Sequence, residues 1–257
     1  MRWWPTTSAA AVFFAFAGTD AICQVGAYGD TSTQVRKQWE LGRRIANDLE
    51  TRDGSINEPA ILGYLQQLAG RLATTAGARP MRVRLTRSTD EYASLLPNRD
   101  LYISGGLLNR IEDEAELVGL MAHELGHLTQ EQQGSAFRGT CVLASLLAPS
   151  WPEDLRKREQ QATAAAVSYL KAGAYDPAGV LDLLSKLAYA HPVWAKAIAS
   201  EDLLDLRVSL ERESIPQTGY RIDSSDFSQV HNTLEEMLGK AIDRATLASP
   251  PVLSPRR

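Results

Sequence analysis

The segment that most constrains this fold is the run His123-Glu124-Leu125-Gly126-His127. On an α-helix, residues four apart differ by ~400° of rotation and ~6 Å of rise, so the two imidazoles leave the same face. This spacing lets two neutral ring nitrogens bind one Zn²⁺ at the usual distance of ~2.0–2.1 Å. The segment therefore predicts a helix that carries two metal ligands, His123 and His127.

Glu124 lies ~100° around the same helix from His123, at the edge of the predicted metal-binding face. From there its carboxylate can reach a water molecule at the metal without being a ligand, which is the position of a general base. The alternative is a surface helix with two solvated histidines. The surrounding sequence opposes it, because buried polar side chains need partners and the segment is largely apolar. Its apolar residues are Ala115, Leu117, Val118, Leu120, Met121, Ala122 and Leu125.

Composition limits the class of protein. The chain has 257 residues and a net charge of −4, with a pI of about 5.7. Nothing in this balance indicates nucleic acid as a partner. The length suits one domain, with or without extensions, and allows a sizeable core.

The N-terminus has the pattern of a secretory signal peptide. Arg2 supplies a positive charge, residues 9–17 form an apolar run too short to span a bilayer, and Ala15-Phe16-Ala17 offers a cleavage site. Cleavage as late as Ala27 is an alternative, and so is a buried N-terminal helix. The pattern predicts a periplasmic or secreted protein without a transmembrane segment, so that any membrane association is peripheral.

Two cysteines, Cys23 and Cys141, are too few for a disulfide framework. In an oxidising compartment they could form one long-range disulfide. Two free thiols are an equally supported alternative.

Apolar periodicity predicts a mostly α-helical α+β fold, with a small antiparallel sheet next to the helix of His123 and His127. Residues 141–148 are an apolar segment interpreted as core packing or a lid, and residues 211–257 are only weakly patterned. We therefore predict a signal peptide over residues 1–17, one domain over 30–212, and a C-terminal extension over 213–257 with a disordered end. The other predicted helices cover residues 31–50, 58–75, 152–172, 177–189 and 193–210, and the predicted strands cover 81–85, 92–96 and 101–104.

A catalytic zinc site keeps three protein ligands and one position for water, so the two histidines need a partner from another helix. Candidate carboxylates downstream are Glu153, Asp154, Glu159 and Glu201. The segment Glu159-Gln160-Gln161-Ala162-Thr163 resembles Glu-x-x-Ala-Asp, the third-ligand motif of a gluzincin family. This family contains the CAAX prenyl proteases, bacterial heat-shock membrane proteases and small periplasmic quality-control peptidases. The resemblance implies that Glu159 is the third ligand.

The resemblance to this family extends in order over residues 35–210. It implies a zincin-type metallopeptidase domain with one Zn²⁺, in which Glu124 is the general base for hydrolysis of unfolded or misassembled envelope proteins. It is carried by Glu40-Leu41-Gly42-Arg43, by Leu96-Pro97 with Leu101-Tyr102-Ile103-Ser104-Gly105-Gly106-Leu107-Leu108, by Glu116-Leu117-Val118-Gly119-Leu120-Met121-Ala122-His123-Glu124, by Ala172-Gly173-Ala174-Tyr175-Asp176-Pro177, and by His191-Pro192.

His191 is a further candidate catalytic residue, as a second donor to the oxyanion or as a fourth ligand in a resting state. A helix-capping histidine is the alternative. We also expect residues 101–104 to act as an edge strand that pairs with an extended substrate peptide.

Two positions depart from the family pattern. Thr163 stands where the family has an aspartate that would orient a ligand histidine, and a hydroxyl can accept the same hydrogen bond without the charge. Glu91-Tyr92-Ala93-Ser94 stands where the family often has Asn-Ala-Phe-Ala. The alternative function is therefore a chaperone-like protein of the same fold that binds clients with little or no cleavage.

Overall fold

The computed structural model describes residues 31–133, 153–191, 198–213 and 219–248, which form helices packed around a four-stranded sheet. This arrangement confirms the predicted α+β class. The elements, numbered in chain order, are α1 Thr31–Asp53, β1 Ser55–Ile56, α2 Pro59–Thr75, β2 Arg82–Thr86, β3 Ala93–Leu95, β4 Asp100–Ser104, α3 Gly105–Arg110, α4 Glu114–Gln133, α5 Glu153–Ala172, α6 Ala178–Ala190, α7 Ser200–Glu211 and α8 Ser225–Ala248.

The sheet is mixed rather than wholly antiparallel, with the strand order β1-β2-β4-β3. β1 pairs with β2 and β3 pairs with β4 in antiparallel fashion, whereas β2 and β4 are parallel. β2 and β4 are parallel because the chain reverses direction twice between them. After β2 it first forms β3 at the edge of the sheet, and then returns as β4 between β3 and β2. The expectation that residues 101–104 form an edge strand is therefore wrong. β4 is interior, and the edges are β1 and β3.

Helix α4 carries His123 and His127 through the centre of the fold, and its main neighbours are α5 and α6. Glycines allow both neighbours to approach closely. A Cβ atom on Gly126 would lie 2.8 Å from the carbonyl oxygen of Ala162 in α5, and one on Gly119 would lie 2.8 Å from the backbone nitrogen of Val180 in α6. No side chain fits at such distances, so glycine is required at both crossings.

Helix α8 lies in the region that the sequence analysis found weakly patterned. Phe227, Val230 and Leu234 on this helix are buried in the main hydrophobic core. The helix packs against α2 and α3. The spacing of the three residues is that of one helical face, and Met237 and Leu238 continue this face.

Several predictions fall outside the described residues. These are the signal peptide, Cys23, Cys141, the apolar segment 141–148, Pro192 and the beginning of the helix predicted from residue 193. Within the described parts of the chain, no helix combines the length and the apolar character needed to cross a membrane.

Candidate metal centre

The side chains of His123, His127 and Glu159 converge on one point. The Nε2 atoms of the two histidines are 3.2 Å apart. The Oε2 atom of Glu159 lies 3.1 Å from the Nε2 of His123 and 3.3 Å from that of His127. The three residues are at most 7% exposed. Two nitrogens and one oxygen therefore form a nearly equilateral triangle in the interior.

Two helices build this triangle. His123 and His127 are one turn apart on α4 and share a face. On α5, Glu159 shares a face with Ala162 and Thr163, three and four residues later, and all three are buried. Since Ala162 is the residue that Gly126 approaches, the close crossing of the two helices brings Glu159 opposite the histidines.

The donor set fits zinc. Two imidazoles and one carboxylate suit Zn²⁺, whereas Mg²⁺ and Ca²⁺ prefer oxygen ligands only. Bonds of ~2.0–2.1 Å in a tetrahedron separate the ligand atoms by about 3.3–3.4 Å. The observed separations of 3.1–3.3 Å are close to this value. With three ligands on one side, such a site keeps a fourth position for a reactant.

Glu159 is held in its ionised form by the histidines. Burial raises the pKa of this carboxyl group, but the charges of His127 and His123 and their hydrogen bonds outweigh burial, and the pKa lies well below its usual range. Glu159 is therefore an anion at any pH at which the protein is expected to work.

Glu124 is in a different situation. Burial raises its pKa, opposed by the neighbouring His127 and His123 and by a hydrogen bond from the backbone of Leu95. Its side chain is 2% exposed, and among the described residues its Oε2 atom has no hydrogen-bond partner. A buried oxygen without a partner is costly. Such an atom is expected where a carboxylate is kept for a reactant.

Thr163, the first departure from the family pattern, contacts both helices of the site. Its hydroxyl lies 2.8 Å from the backbone carbonyl oxygen of Glu159 and 3.3 Å from the Nδ1 atom of His123. The side chain is buried. The candidate ligand His123 thus has a hydrogen-bond partner at the position where the family has an aspartate.

His191 is not brought into the triangle. It lies at the C-terminal end of α6, and its Nε2 atom is 2.8 Å from an oxygen of Glu91. The other oxygen of Glu91 is 2.6 Å from Arg110. Burial raises the pKa of Glu91, but Arg110 and His191 outweigh it and the pKa is lowered. The second departure from the family pattern, Glu91, is therefore the partner of His191.

Among the alternative third ligands, Glu201 is directed away from the site. Its carboxylate is 3.9 Å from Arg156, and its side chain is 83% exposed. The side chains of Glu153 and Asp154 lie outside the described residues.

Sequence reasoning missed a buried carboxylate at the start of the metal-site helix. Glu114 is 1% exposed. It accepts hydrogen bonds from Tyr64 at 2.8 Å, from Tyr175 at 2.7 Å and from Ser224. Burial raises the pKa of Glu114, but these three hydroxyls outweigh burial and lower it. The partners lie 50 to 110 residues away in sequence, so no local motif reveals them.

Comparison with known proteins finds a peptidase family that matches part of the chain. Residues 59–148 match the family described as Peptidase family M48. This part of the chain is therefore similar to the domain of peptidase family M48. The matched residues include His123, Glu124 and His127 and end before Glu159. This result confirms the peptidase resemblance that the sequence predicted.

Named relatives share only part of their length with this chain. The beta-barrel assembly-enhancing proteases of Escherichia coli (strain K12) and Shigella flexneri are each 22% identical over 199 residues, covering 65% of this chain and 41% of the relative. The putative beta-barrel assembly-enhancing protease of Vibrio cholerae is 24% identical over 198 residues, covering 73% of this chain and 38% of the relative. The chain thus spans about two fifths of the length of these relatives.

Proposed function

We propose that this protein is a zinc-dependent endopeptidase with His123, His127 and Glu159 as zinc ligands and Glu124 as general base. The observation that carries the proposal is the buried triangle of two imidazole nitrogens and a carboxylate oxygen. Beside it lies a second carboxylate, one of whose oxygens has no hydrogen-bond partner among the described residues. The M48 match supports peptide bonds as the substrate.

In this proposal the residues around the triangle have different chemical roles. Zinc, when bound, supplies a Lewis acid that polarises the scissile carbonyl and makes water more acidic. Glu124 orients the attacking water through its Oε2 atom, takes its proton and delivers that proton to the leaving amine. A C–O bond forms at the carbonyl carbon and the C–N bond breaks. His191 is the candidate for a second donor to the oxyanion, and it would have to leave Glu91 to act there.

We further propose that the substrate binds as an extended strand along β3. The hydrogen bonds from Leu96 N–H to the Asp100 carbonyl and from Ser104 N–H to the Tyr92 carbonyl join this hairpin. Backbone groups alternate along a strand, so those of Ala93 and Leu95 are directed away from β4. Because the Leu95 backbone also hydrogen-bonds to Glu124, a peptide paired along this edge would pass beside the proposed base.

Strand pairing requires a locally unfolded substrate. The signal-like N-terminus and the relatives named for assembling beta-barrels support unfolded or misassembled envelope proteins as the substrates. The same two observations support a periplasmic location.

The proposal is tested by casein digestion with the purified chain. We expect cleavage that 1,10-phenanthroline blocks and that added Zn²⁺ restores. Cleavage that is insensitive to the chelator would remove the metal from the mechanism. Stoichiometric zinc without cleavage of casein or of unfolded envelope proteins would favour the chaperone-like alternative, for which the neutral Thr163 is the supporting feature.

A further inference from the structure

Thr163 occupies a buried position between the two helices that supply the proposed ligands. Its hydroxyl oxygen is 2.8 Å from the Glu159 carbonyl oxygen and 3.3 Å from the Nδ1 atom of His123. Glu159 and His123 are both members of the triangle. One hydroxyl group therefore touches a ligand on each helix.

The donor and acceptor roles in this contact follow from chemistry. A hydroxyl group has one proton, and a carbonyl oxygen can only accept it. The shorter contact is the one to the Glu159 carbonyl. With its proton used there, the Thr163 oxygen can only accept a hydrogen bond from His123. The Nδ1 atom of His123 must then carry a proton.

We propose that Thr163 is a positioning residue that fixes the tautomer of His123 through a relay of two hydrogen bonds. In this relay the Thr163 hydroxyl donates to the Glu159 carbonyl and accepts from the Nδ1 atom of His123. A neutral imidazole that is protonated at Nδ1 has its lone pair at Nε2. Nε2 is the atom of His123 that lies in the triangle, 3.1 Å from Glu159. The relay thus presents the correct nitrogen to the metal and links the two ligands through one side chain.

This role explains how the site can function without the family's aspartate. An acceptor on the second nitrogen of a ligand histidine fixes the ring orientation, and its loss typically weakens metal binding about 10–100-fold. Thr163 supplies the acceptor but not the negative charge. The predicted change in zinc affinity rests on the proposed function. The predicted tautomer of His123 does not rest on the proposed function.

The competing explanation is an ordinary bond between a helical hydroxyl and the carbonyl four residues earlier. Ser168 on the same helix makes such a bond to Ala164, at 3.1 Å, on an exposed face. Bonds of this kind occur without any ligand nearby. Ser168 therefore provides a matched control that has the backbone contact of Thr163 but no histidine.

The experiment combines three variants with two measurements. Thr163→Val removes the hydroxyl and keeps the shape, Thr163→Ser keeps the hydroxyl, and Ser168→Ala is the control. Zinc affinity is measured by competition with a chromophoric chelator. We expect Thr163→Val to bind zinc about 10–100-fold more weakly than the wild type, and Thr163→Ser and Ser168→Ala to match the wild type. Undiminished affinity in Thr163→Val would overturn the proposal.

The second measurement is the ¹⁵N spectrum of the histidine rings in the metal-free wild-type chain. We expect a proton on the Nδ1 atom of His123 and none on its Nε2 atom, the pattern of the neutral tautomer. A bare Nδ1, or a proton on both nitrogens, would overturn the proposal even if Thr163→Val does not fold. If the wild-type chain binds no zinc, the proposed function fails, and this spectrum still tests the relay on its own.

Discussion

Two buried carboxylates, Glu124 and Glu159, share the same pair of histidine neighbours but differ in pKa. The pKa of Glu159 is lowered and that of Glu124 is raised, although burial opposes ionisation of both. The difference comes from direct contact. An oxygen of Glu159 touches both histidine nitrogens, whereas the Oε2 atom of Glu124 has no partner among the described residues. Two carboxyl groups whose pKa values are pushed apart suit two roles, a permanent anionic ligand and a proton carrier.

The proposed ligand role of Glu159 predicts the effect of removing its carboxylate. Glu159→Ala should abolish stoichiometric zinc, because two histidines alone leave the site with one protein ligand too few. Glu201→Ala, which removes an exposed carboxylate on α7, should leave zinc content unchanged. Metal analysis of the dialysed proteins checks this prediction. Full zinc retention in Glu159→Ala would exclude Glu159 as a ligand.

The buried carboxylate of Glu114 predicts a pH dependence of stability. Because hydroxyl donors lower its folded-state pKa, it stabilises the fold above the ordinary glutamate pKa of ~4.3, and this contribution is lost as the pH falls through the folded-state value. Glu114→Gln should therefore be less stable than the wild type near pH 7, and the difference in free energy of unfolding should shrink in acid. Urea unfolding at a series of pH values measures this. A difference that does not change with pH would contradict the account.

The contact between α4 and α5 joins the two halves of the site. At this crossing, Gly126, the residue before the proposed ligand His127, faces the backbone of Ala162. The spacing of His123 and His127 specifies which face of α4 would bind the proposed metal, but not how closely another helix approaches that face. That distance depends on the absence of a single Cβ atom.

Substitution of Gly126 tests this contact. Gly126→Ala would place a Cβ atom 2.8 Å from the Ala162 carbonyl, so we expect a loss of about 1–3 kcal/mol in the free energy of unfolding together with weaker zinc binding. Gly63→Ala on α2 is the matched control, because no atom of a neighbouring described residue lies within 4 Å of its Cβ position. Higher helix propensity should stabilise that variant by up to about 1 kcal/mol. Thermal unfolding measures the stability of the two variants, and chelator competition measures their zinc affinity. Equal stability and equal zinc affinity of the two variants would contradict the prediction.

Most elements could be predicted from the sequence, because apolar periodicity is a local property. The helices over Pro59–Thr75 and Ala178–Ala190 begin and end within about one residue of the predicted limits. The strand order could not be predicted in this way, since alternation identifies a strand but not its neighbours. One signal was present. Leu101-Tyr102-Ile103 is a continuous apolar run, typical of an interior strand, and every residue of β4 is buried.

At the scale of the whole molecule, helix α8 belongs to the same hydrophobic core as the helices that carry the site. Phe227, Val230 and Leu234 of α8 are buried there, and Ser224 hydrogen-bonds to Glu114 at the start of α4. These contacts join residues about 110 positions apart in sequence. A local pattern carries no information about such partners, which is why the Glu114 network escaped prediction. The apolar spacing along α8, in contrast, was a local signal of a helix.

The contribution of α8 to the core predicts a strong effect of truncating Leu234. This side chain is fully buried, so Leu234→Ala should lower the free energy of unfolding by about 2–5 kcal/mol. Leu204→Ala provides the control, because Leu204 is 59% exposed and its truncation should have little effect. Urea unfolding of the metal-free proteins compares them. Equal stability of the two variants would show that α8 does not pack in the core in solution.

The central claim is that Glu124 performs chemistry at a metal that other residues hold. The most direct test measures zinc content and casein cleavage together in the wild type and in Glu124→Gln. We predict one zinc per chain in both proteins, and cleavage reduced about 10²–10⁴-fold or more in the variant, since loss of a general base typically has at least this effect. Normal turnover by Glu124→Gln with its zinc retained would contradict the account.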